Sequence, residues 1–492
     1  MKKLQSILST LGAIGIALNF TMVYGQGWGE VSAGSAWPEI QQGFNGVPQF
    51  PQPVMPVPQR QAIPAPPQYA VPFNPAPNYA ADRSLDELAR EIENLKSELA
   101  KKSDKPDPKK GFTAPKINGR VFMDSVNIIH QDDDGLAAIG QGKNLLGFRE
   151  ARLAATGTAY DFLDYKLELG FEGTAQANFK DVFLGINDVP VLGYIRIGNQ
   201  YVENAGSEIC NGTTNYTFME LPAPAGGQFT ARRLGMTSRH LFARNRVRLF
   251  FGAFGAQDVS STHISTADHQ GIILNTRLTH ALMFQKEGKC MFLYGGYYSY
   301  TEPQSVTVNN RPGGWNLGMP PLISYPSENG HKMGLETVYQ NGPLCLQADV
   351  FVRYFSEVNP DEDAMMYGGF VMGRYLLTKG DYRKYSLENA CWGSLVVNRP
   401  FLLFQRGASN FMQGPGTWEI AAYYGYLNAE DFKNAGGVYG SDHEIGAALN
   451  WYWNPQLKWA LNYVHQMAEV TSGTHGYKPS MDIVAMSCRF HW

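Results

Sequence analysis

Alternation over strand-length segments constrains this chain more than any other feature. From Ser480 to Trp492, Val484, Met486, Cys488, Phe490 and Trp492 fall on one face of an extended chain; Ile483, Ala485, Ser487, Arg489 and His491 fall on the other. Such an ending, closed by Phe490 and Trp492, fits the last strand of an outer-membrane β-barrel, and taken alone it also fits an ordinary edge strand. Interior segments repeat the pattern. Leu163, Tyr165, Leu167, Leu169 and Phe171 oppose Asp164, Lys166, Glu168 and Gly170. Trp418, Ile420, Ala422, Tyr424 and Tyr426 oppose Glu419, Ala421, Tyr423 and Gly425. The same holds for Ile445 to Trp453 and for Leu457 to Tyr463, with aromatic residues gathered near the segment ends as an interfacial girdle requires.

Composition supports a barrel over the alternatives. Charged residues are 17% of the 492, and the chain holds 52 Gly, 26 Tyr and 27 Phe, yet beyond the N-terminus no apolar run approaches the length of a membrane helix. A net charge of −3 argues against a nucleic-acid partner. Counting candidate segments from about Ile117 onward predicts fourteen to eighteen strands, about sixteen. A sheet of that size in a bilayer has to close, because every backbone polar group there must be bonded internally. A ring of sixteen strands is wide enough for a water-filled lumen. The fold class expected is therefore all-β: a transmembrane antiparallel barrel over 115–492.

The N-terminal part reads differently. Lys2 and Lys3 precede an apolar stretch from Ile7 to Leu18, and Val23-Tyr24-Gly25 offers a cleavage point, so 1–25 is expected to be a signal peptide that sends the chain to the periplasm. Residues 26–83 form a Pro-rich linker with twelve prolines between Pro38 and Pro77, which cannot build a packed core. It reads as a spacer, or as a segment that touches peptidoglycan. Residues 84–102 predict a short helix: Ser84 and Glu87 have capping-box spacing, and Leu85, Leu88, Ile92, Leu95 and Leu99 form a heptad seam. That seam fits self-association, or a lone amphipathic helix lying on the protein. Residues 103–114 are a charged tether.

The densest chemical feature is the run that holds Arg232, Arg233, Arg239, Arg244, Arg246 and Arg248. The last three alternate, which on a strand would set three guanidiniums about 6.6 Å apart on one face. On the lipid face each would cost about 2–4 kcal/mol near the midplane, so a lumen face is expected, where arginines favour anions. Glu150, Asp164, Glu168, Asp181, Glu419 and Glu444 also read as lumen-facing. The wall is thus anion-preferring, or salt-bridged and weakly selective. Residues 200–241 are too long for a simple turn and read as a loop folded into the pore, carrying Arg232, Arg233 and Arg239, or as a plain extracellular loop.

No catalytic constellation and no cofactor motif is present. Asp132-Asp133-Asp134 reads as a solvated turn, and no metal site is assigned. The five cysteines, Cys210, Cys290, Cys345, Cys391 and Cys488, allow one or two disulfides but specify no pairing.

Several stretches are similar in wording and order to the phosphate-selective porin O/P family. Gly147-Phe148-Arg149-Glu150-Ala151-Arg152-Leu153 followed by Asp164-Tyr165-Lys166-Leu167-Glu168 resembles an early hairpin of that family. Ile195 to Gln200, Tyr216 to Glu220, Leu377 to Tyr385, Trp418 to Ala421 and Gly446 to Tyr452 resemble later ones. Leu221 departs from the family, where an Arg often follows Phe-Met-Glu. The resemblance implies a trimeric sixteen-stranded porin with an inward-folded loop and a cationic eyelet. Its implied partners are outer-membrane lipid and small inorganic or organic anions such as phosphate.

Overall fold

A computed structural model describes residue 111 and residues 113–492, apart from 135–140, 173–176, 223–229, 260–270, 303, 309–311, 316, 318–322, 360–361, 403–413, 436–437 and 473–474. The expected signal peptide, linker and heptad helix lie outside the described residues.

Alternation turns directly into strands. The first nine are β1 (Lys116–Gln131), β2 (Leu145–Ala159), β3 (Leu163–Gly170), β4 (Asn178–Val189), β5 (Gly193–Tyr201), β6 (Arg232–Phe242), β7 (Val247–Gly255), β8 (Ile272–Gln285) and β9 (Cys290–Glu302). A small hairpin, β10 (Gln304–Val308) and β11 (Ile323–Ser327), precedes β12 (Asn329–Asn341), β13 (Leu344–Asn359) and β14 (Glu362–Leu376). A second hairpin, β15 (Tyr382–Ser386) and β16 (Cys391–Val396), precedes β17 (Thr417–Asn428), β18 (Val438–Asn454) and β19 (Leu457–Ser472). The short β20 (His475–Tyr477) and the last strand β21 (Ser480–His491) end the chain.

Sixteen of these strands, β1–β9, β12–β14, β17–β19 and β21, pair antiparallel with their neighbours into one closed barrel. The seam is the pairing of β21 with β1, where Phe490 faces Val121 in register. At its end Trp492 and Gly119 exchange both backbone hydrogen bonds, at 3.2 and 3.0 Å. The Trp492 indole covers Gly119 so closely that a Cβ there would lie 2.2 Å from the ring. Phe490 and Trp492 stack at 5.6 Å between centroids. The aromatic terminus thus closes the ring by lying across the first strand.

The outer face is apolar as the pattern predicts: Leu167, Leu184, Leu278, Leu335, Ile420 and Met486 are among its exposed residues. The inner positions carry the polar groups, including buried Glu150, Glu168, Arg248, Arg277, Glu419 and Glu444. Short turns join β2–β3, β4–β5, β6–β7, β8–β9, β12–β13 and β18–β19 at the end that also holds the start of β1 and the end of β21. Two of them are only two residues long; in one, Gly342-Pro343, Gly342 takes φ +59°, a conformation glycine adopts without the steric cost of a Cβ. All five cysteines are free.

Part of the interior is filled by the chain itself. Three inserts enter it: residues 202–222 after β5, residues 313–315 with Leu317, and the β15–β16 hairpin. Ile209, Tyr216, Phe218 and Leu221 of the first insert pack on Phe351, Phe370 and Tyr423 of the wall. Trp315 and Leu317 pack on Val464, Met481 and Ile483. Tyr385 and Trp392 of the hairpin join Met291, Leu293 and Val338. Apolar side chains at inner positions of β9 to β21 would be misplaced against water; these inserts cover them.

Candidate functional site

The insert after β5 crosses the barrel, and side chains from several wall strands hold its backbone. On one side the Gly206 N–H donates to Asp349 (2.7 Å), and the Ser207 N–H and hydroxyl donate to Glu336 (2.8 and 2.6 Å). On another, the Met219 N–H donates to Asn462 (2.7 Å), Lys458 donates to the Tyr216 and Thr217 carbonyls (3.1 and 3.0 Å), and Arg489 donates to the Met219 carbonyl (2.5 Å). The Thr213 hydroxyl reaches Glu150 on β2 at 2.9 Å. A loop buried in this way has nowhere else to place its backbone polar groups, so these wall residues are what permit it to be there.

The hairpin enters from the opposite mouth. Its parent connection, residues 377–416, leaves β14 at the end where the other connections are short turns. Its tip is clamped by three arginines. Arg239 bonds Glu388 (2.6 Å) and the Asn389 side chain. Arg248 donates to the Glu388 carbonyl (2.7 Å), and Arg277 to the Ala390 carbonyl (2.9 Å). Arg248 and Arg277 also grip Glu203, at 2.7 and 3.3 Å, and Arg277 grips Glu336 at 2.8 Å. The Tyr385 and Ser207 hydroxyls meet at 2.7 Å, so hairpin and loop touch each other. Deeper in, Arg383 contacts Glu419 (3.4 Å) and Tyr452 (2.6 Å) and donates to the Asn215 carbonyl. Burial raises the pKa of Glu203, but the neighbouring Arg248 and Arg277 outweigh it and hold this carboxyl below its ordinary value.

The six arginines singled out in sequence therefore separate into three settings. Arg232 and Arg233 start β6 rather than ride on the loop; Arg232 pairs with Asp181 (2.5 Å), and Arg233 caps the Ala256 carbonyl (2.8 Å). Arg239 and Arg248 serve the clamp. Arg244 and Arg246 do not share a strand face with Arg248. They lie in the β6–β7 turn, where Ala243, Arg244 and Asn245 take φ of 47°, 57° and 63°. Arg246 there spreads over the Ala281, Leu282 and Phe284 carbonyls at 3.4–3.5 Å. The row of three is absent because the chain reverses within it.

A second charged surface, on the inner face of β1 to β6, was missed as a unit. Arg120 bonds Glu150 (2.6 Å) and Glu168 (3.0 Å). Lys166 bonds Glu168 and Asp181, both at 2.7 Å. Arg152 bonds Glu150 (2.8 Å) and Glu172 (3.0 Å), and Lys180 bonds Glu172 (2.8 Å). Arg149 pairs with Glu220 of the inward loop. Arg149 is an extra residue on β2: Glu150 faces Phe122 and Phe148 faces Met123, a β-bulge that frees it from the alternation. With Arg232, six cations meet five carboxylates here. Apart from Arg149, each cation stands on an inner position of a strand that was legible in the sequence, and that periodicity was the available signal; the bulge that places Arg149 has no such signal.

The layering of these charges matters more than their number. Arg149, Lys166 and Arg120 are 38%, 24% and 17% accessible, whereas Glu220, Glu168 and Glu150 beside them are 9%, 3% and 1%. Asp181 and Glu172 are the exceptions, as accessible as their partners. Most of the wall thus presents cationic heads to the lumen with carboxylates behind them. Among the described residues no cluster of three or more acidic, His or Cys side chains is arranged to hold a metal.

Residues 125–492 match the family described as phosphate-selective porin O and P. Among solved structures the chain is similar to OmpT, an outer membrane protein of Vibrio cholerae, at 12% identity over 77% of this chain and 97% of that one, with a TM-score of 0.48. The outer membrane channel DcaP of Acinetobacter baumannii gives 12% identity over 77% and 97%, with a TM-score of 0.46. An anion-selective porin from Comamonas acidovorans gives 14% over 77% and 99%, with a TM-score of 0.46. No curated protein matches.

Proposed function

This chain belongs to the phosphate-selective porin O and P family, and from that premise we propose that its barrel is an outer-membrane porin for passive diffusion of small solutes, with a preference for anions such as phosphate. The supporting observation is the layered wall of β1 to β6, with guanidinium and ammonium groups toward the lumen and carboxylates behind. An ion in the lumen lies nearer the cations than their partners, so the pairs act on it as outward-facing dipoles. Paired cations attract without holding, and conduction needs binding weak enough to release. The inserts, packed mainly on β9 to β21, narrow the passage and direct solutes along this wall.

Two further parts of the reading rest on the sequence. The heptad seam of Leu85, Leu88, Ile92, Leu95 and Leu99 supports a homotrimer, since a helix too short to associate alone can pair once barrels bring copies together. The Pro-rich segment supports contact with peptidoglycan.

Planar-bilayer recording of the purified full chain tests the transport reading. Stepwise conductance and an anion-signed reversal potential in a salt gradient are expected. Absence of steps would overturn the porin assignment. A reversal potential near zero would leave a weakly selective pore, its pairs cancelling.

A further inference from the structure

Arg196 on β5 stands apart from the cations of the layered surface, each of which is paired with a carboxylate. It faces inward, in the row that holds buried Gln200, while its neighbour Ile197 is exposed on the outer face. Among the described residues its guanidinium has no ion pair and no hydrogen bond; Nε is buried without a partner, and the half-buried side chain leaves its two terminal nitrogens open to the lumen. Two aromatic rings hold it instead, with centroids at 4.5 Å for Phe183 and 5.1 Å for Tyr194. Stacking on rings sets the plane of a guanidinium without neutralising it. Gly185, opposite Arg196 in register, makes room for this: a Cβ there would lie 2.2 Å from the Tyr194 hydroxyl. The carboxylates nearby are engaged elsewhere. Asp181 is held by Lys166 and Arg232 at 2.7 and 2.5 Å, and Asp164, opposite Gly185 on β3, accepts from the Asn187 side chain at 3.0 Å. Arg239 lies over the same Tyr194 ring at 4.5 Å, but Glu388 meets its charge at 2.6 Å.

We propose that Arg196, framed by Phe183 and Tyr194, is the residue that tells an oxyanion from chloride in this pore. The inference rests on the porin reading and names the group that would give it specificity. A planar guanidinium presents two parallel N–H donors, which match two oxygens of a phosphate, sulfate or carboxylate at once; chloride, a single centre, cannot use the fork. Because no carboxylate stands against it, Arg196 offers a passing solute a full charge where its paired neighbours offer dipoles. Its place suits release as well as capture: it is the fourth residue of β5, close to the β4–β5 turn and so to that mouth of the barrel. The aromatic frame keeps the fork aimed while the lumen water around it keeps the contact weak.

Two measurements test it. In planar bilayers, inorganic phosphate added to a chloride bath should reduce the wild-type single-channel current in a saturable way. Arg196→Gln, which breaks no ion pair and should fold, should raise the concentration for half-block about tenfold or more, the loss of one charge-assisted hydrogen bond. Arg196→Lys should do the same while leaving the reversal potential in a chloride gradient at its wild-type value, because it keeps the charge and loses the fork. Crystals of the full chain soaked in sodium selenate should show an anomalous selenium peak within hydrogen-bond reach of the Arg196 guanidinium, and none there in Arg196→Gln. The peak needs no conduction, so a peak without channel steps would remove the porin reading and leave the oxyanion site at Arg196 standing. A wild-type current indifferent to phosphate, a half-block unchanged in either variant, or no selenium at this position would each overturn the proposal.

Discussion

Glu168→Gln is the most direct perturbation of the layered wall. The Glu168 carboxylate pairs with three cations, 3.0 Å from Arg120, 2.7 Å from Lys166 and 3.7 Å from Arg152. Each keeps another partner when it is neutralised, Arg120 with Glu150, Lys166 with Asp181 and Arg152 with Glu150 and Glu172, so none is left as an unpaired buried charge. The barrel should therefore fold. The wall gains one unit of positive charge. For a solute anion about 8 Å away, one unit is worth about 0.5 kcal/mol in bulk water and about 2 kcal/mol at an effective dielectric of 20. At 1.4 kcal/mol per factor of ten, anion preference should rise between about twofold and about thirtyfold, nearer the lower figure if the lumen is well hydrated. The assay is the zero-current potential in a planar bilayer under a salt gradient, with single-channel conductance recorded in parallel. High salt should shrink the effect, because it screens charges across water. An unchanged potential at normal conductance would show that the β1 to β6 wall does not face the conduction path, and the selectivity argument would fail.

Arg277→Leu leaves Glu336 buried without its ion pair and releases the Ala390 carbonyl, a cost of about 3–5 kcal/mol for a broken buried pair; the folded barrel should lose heat resistance on gels, and the surviving channels should be noisier and wider. Quiet, wild-type channels would argue against the clamp. Because the pKa of Glu203 in the folded chain lies below its unfolded value of about 4.3, its contribution is complete above that value and is lost as pH falls through the folded one. Conductance should accordingly be steady from neutral pH down to the usual carboxylate range and change only in stronger acid; a transition near neutrality would exclude Glu203 as its cause. Gly119→Val places a side chain inside the Trp492 ring and should lower the yield of closed barrel, read as the fraction with folded electrophoretic mobility. Ile92→Asp should weaken cross-linked trimers and spare the barrel; identical cross-linking in both proteins would remove the role given to the heptad seam.

Much of the barrel was open to reading because its information is local. A period of two repeats within each strand, and the cost of polar groups in lipid dictates which face turns outward. The facing of Leu163 to Leu169, Trp418 to Tyr424 and Val484 to Trp492 follows from neighbours two residues apart. The arginine run shows where that logic stops. Arg244, Arg246 and Arg248 satisfy alternation on paper, yet residues 243–246 form a turn, and alternation counts nothing where the chain reverses.

What sequence by itself determined is the membrane-spanning frame: a closed all-β ring, its lipid face, and the aromatic residues that end it. Tertiary structure alone decided how charge is spent inside. Glu203 meets Arg248 and Arg277, and Glu388 meets Arg239, only because a loop from one mouth and a hairpin from the other converge in the lumen. Those partners are tens to more than a hundred residues apart in the chain, and no local period encodes a pairing set by register around sixteen strands and by the packing of three inserts.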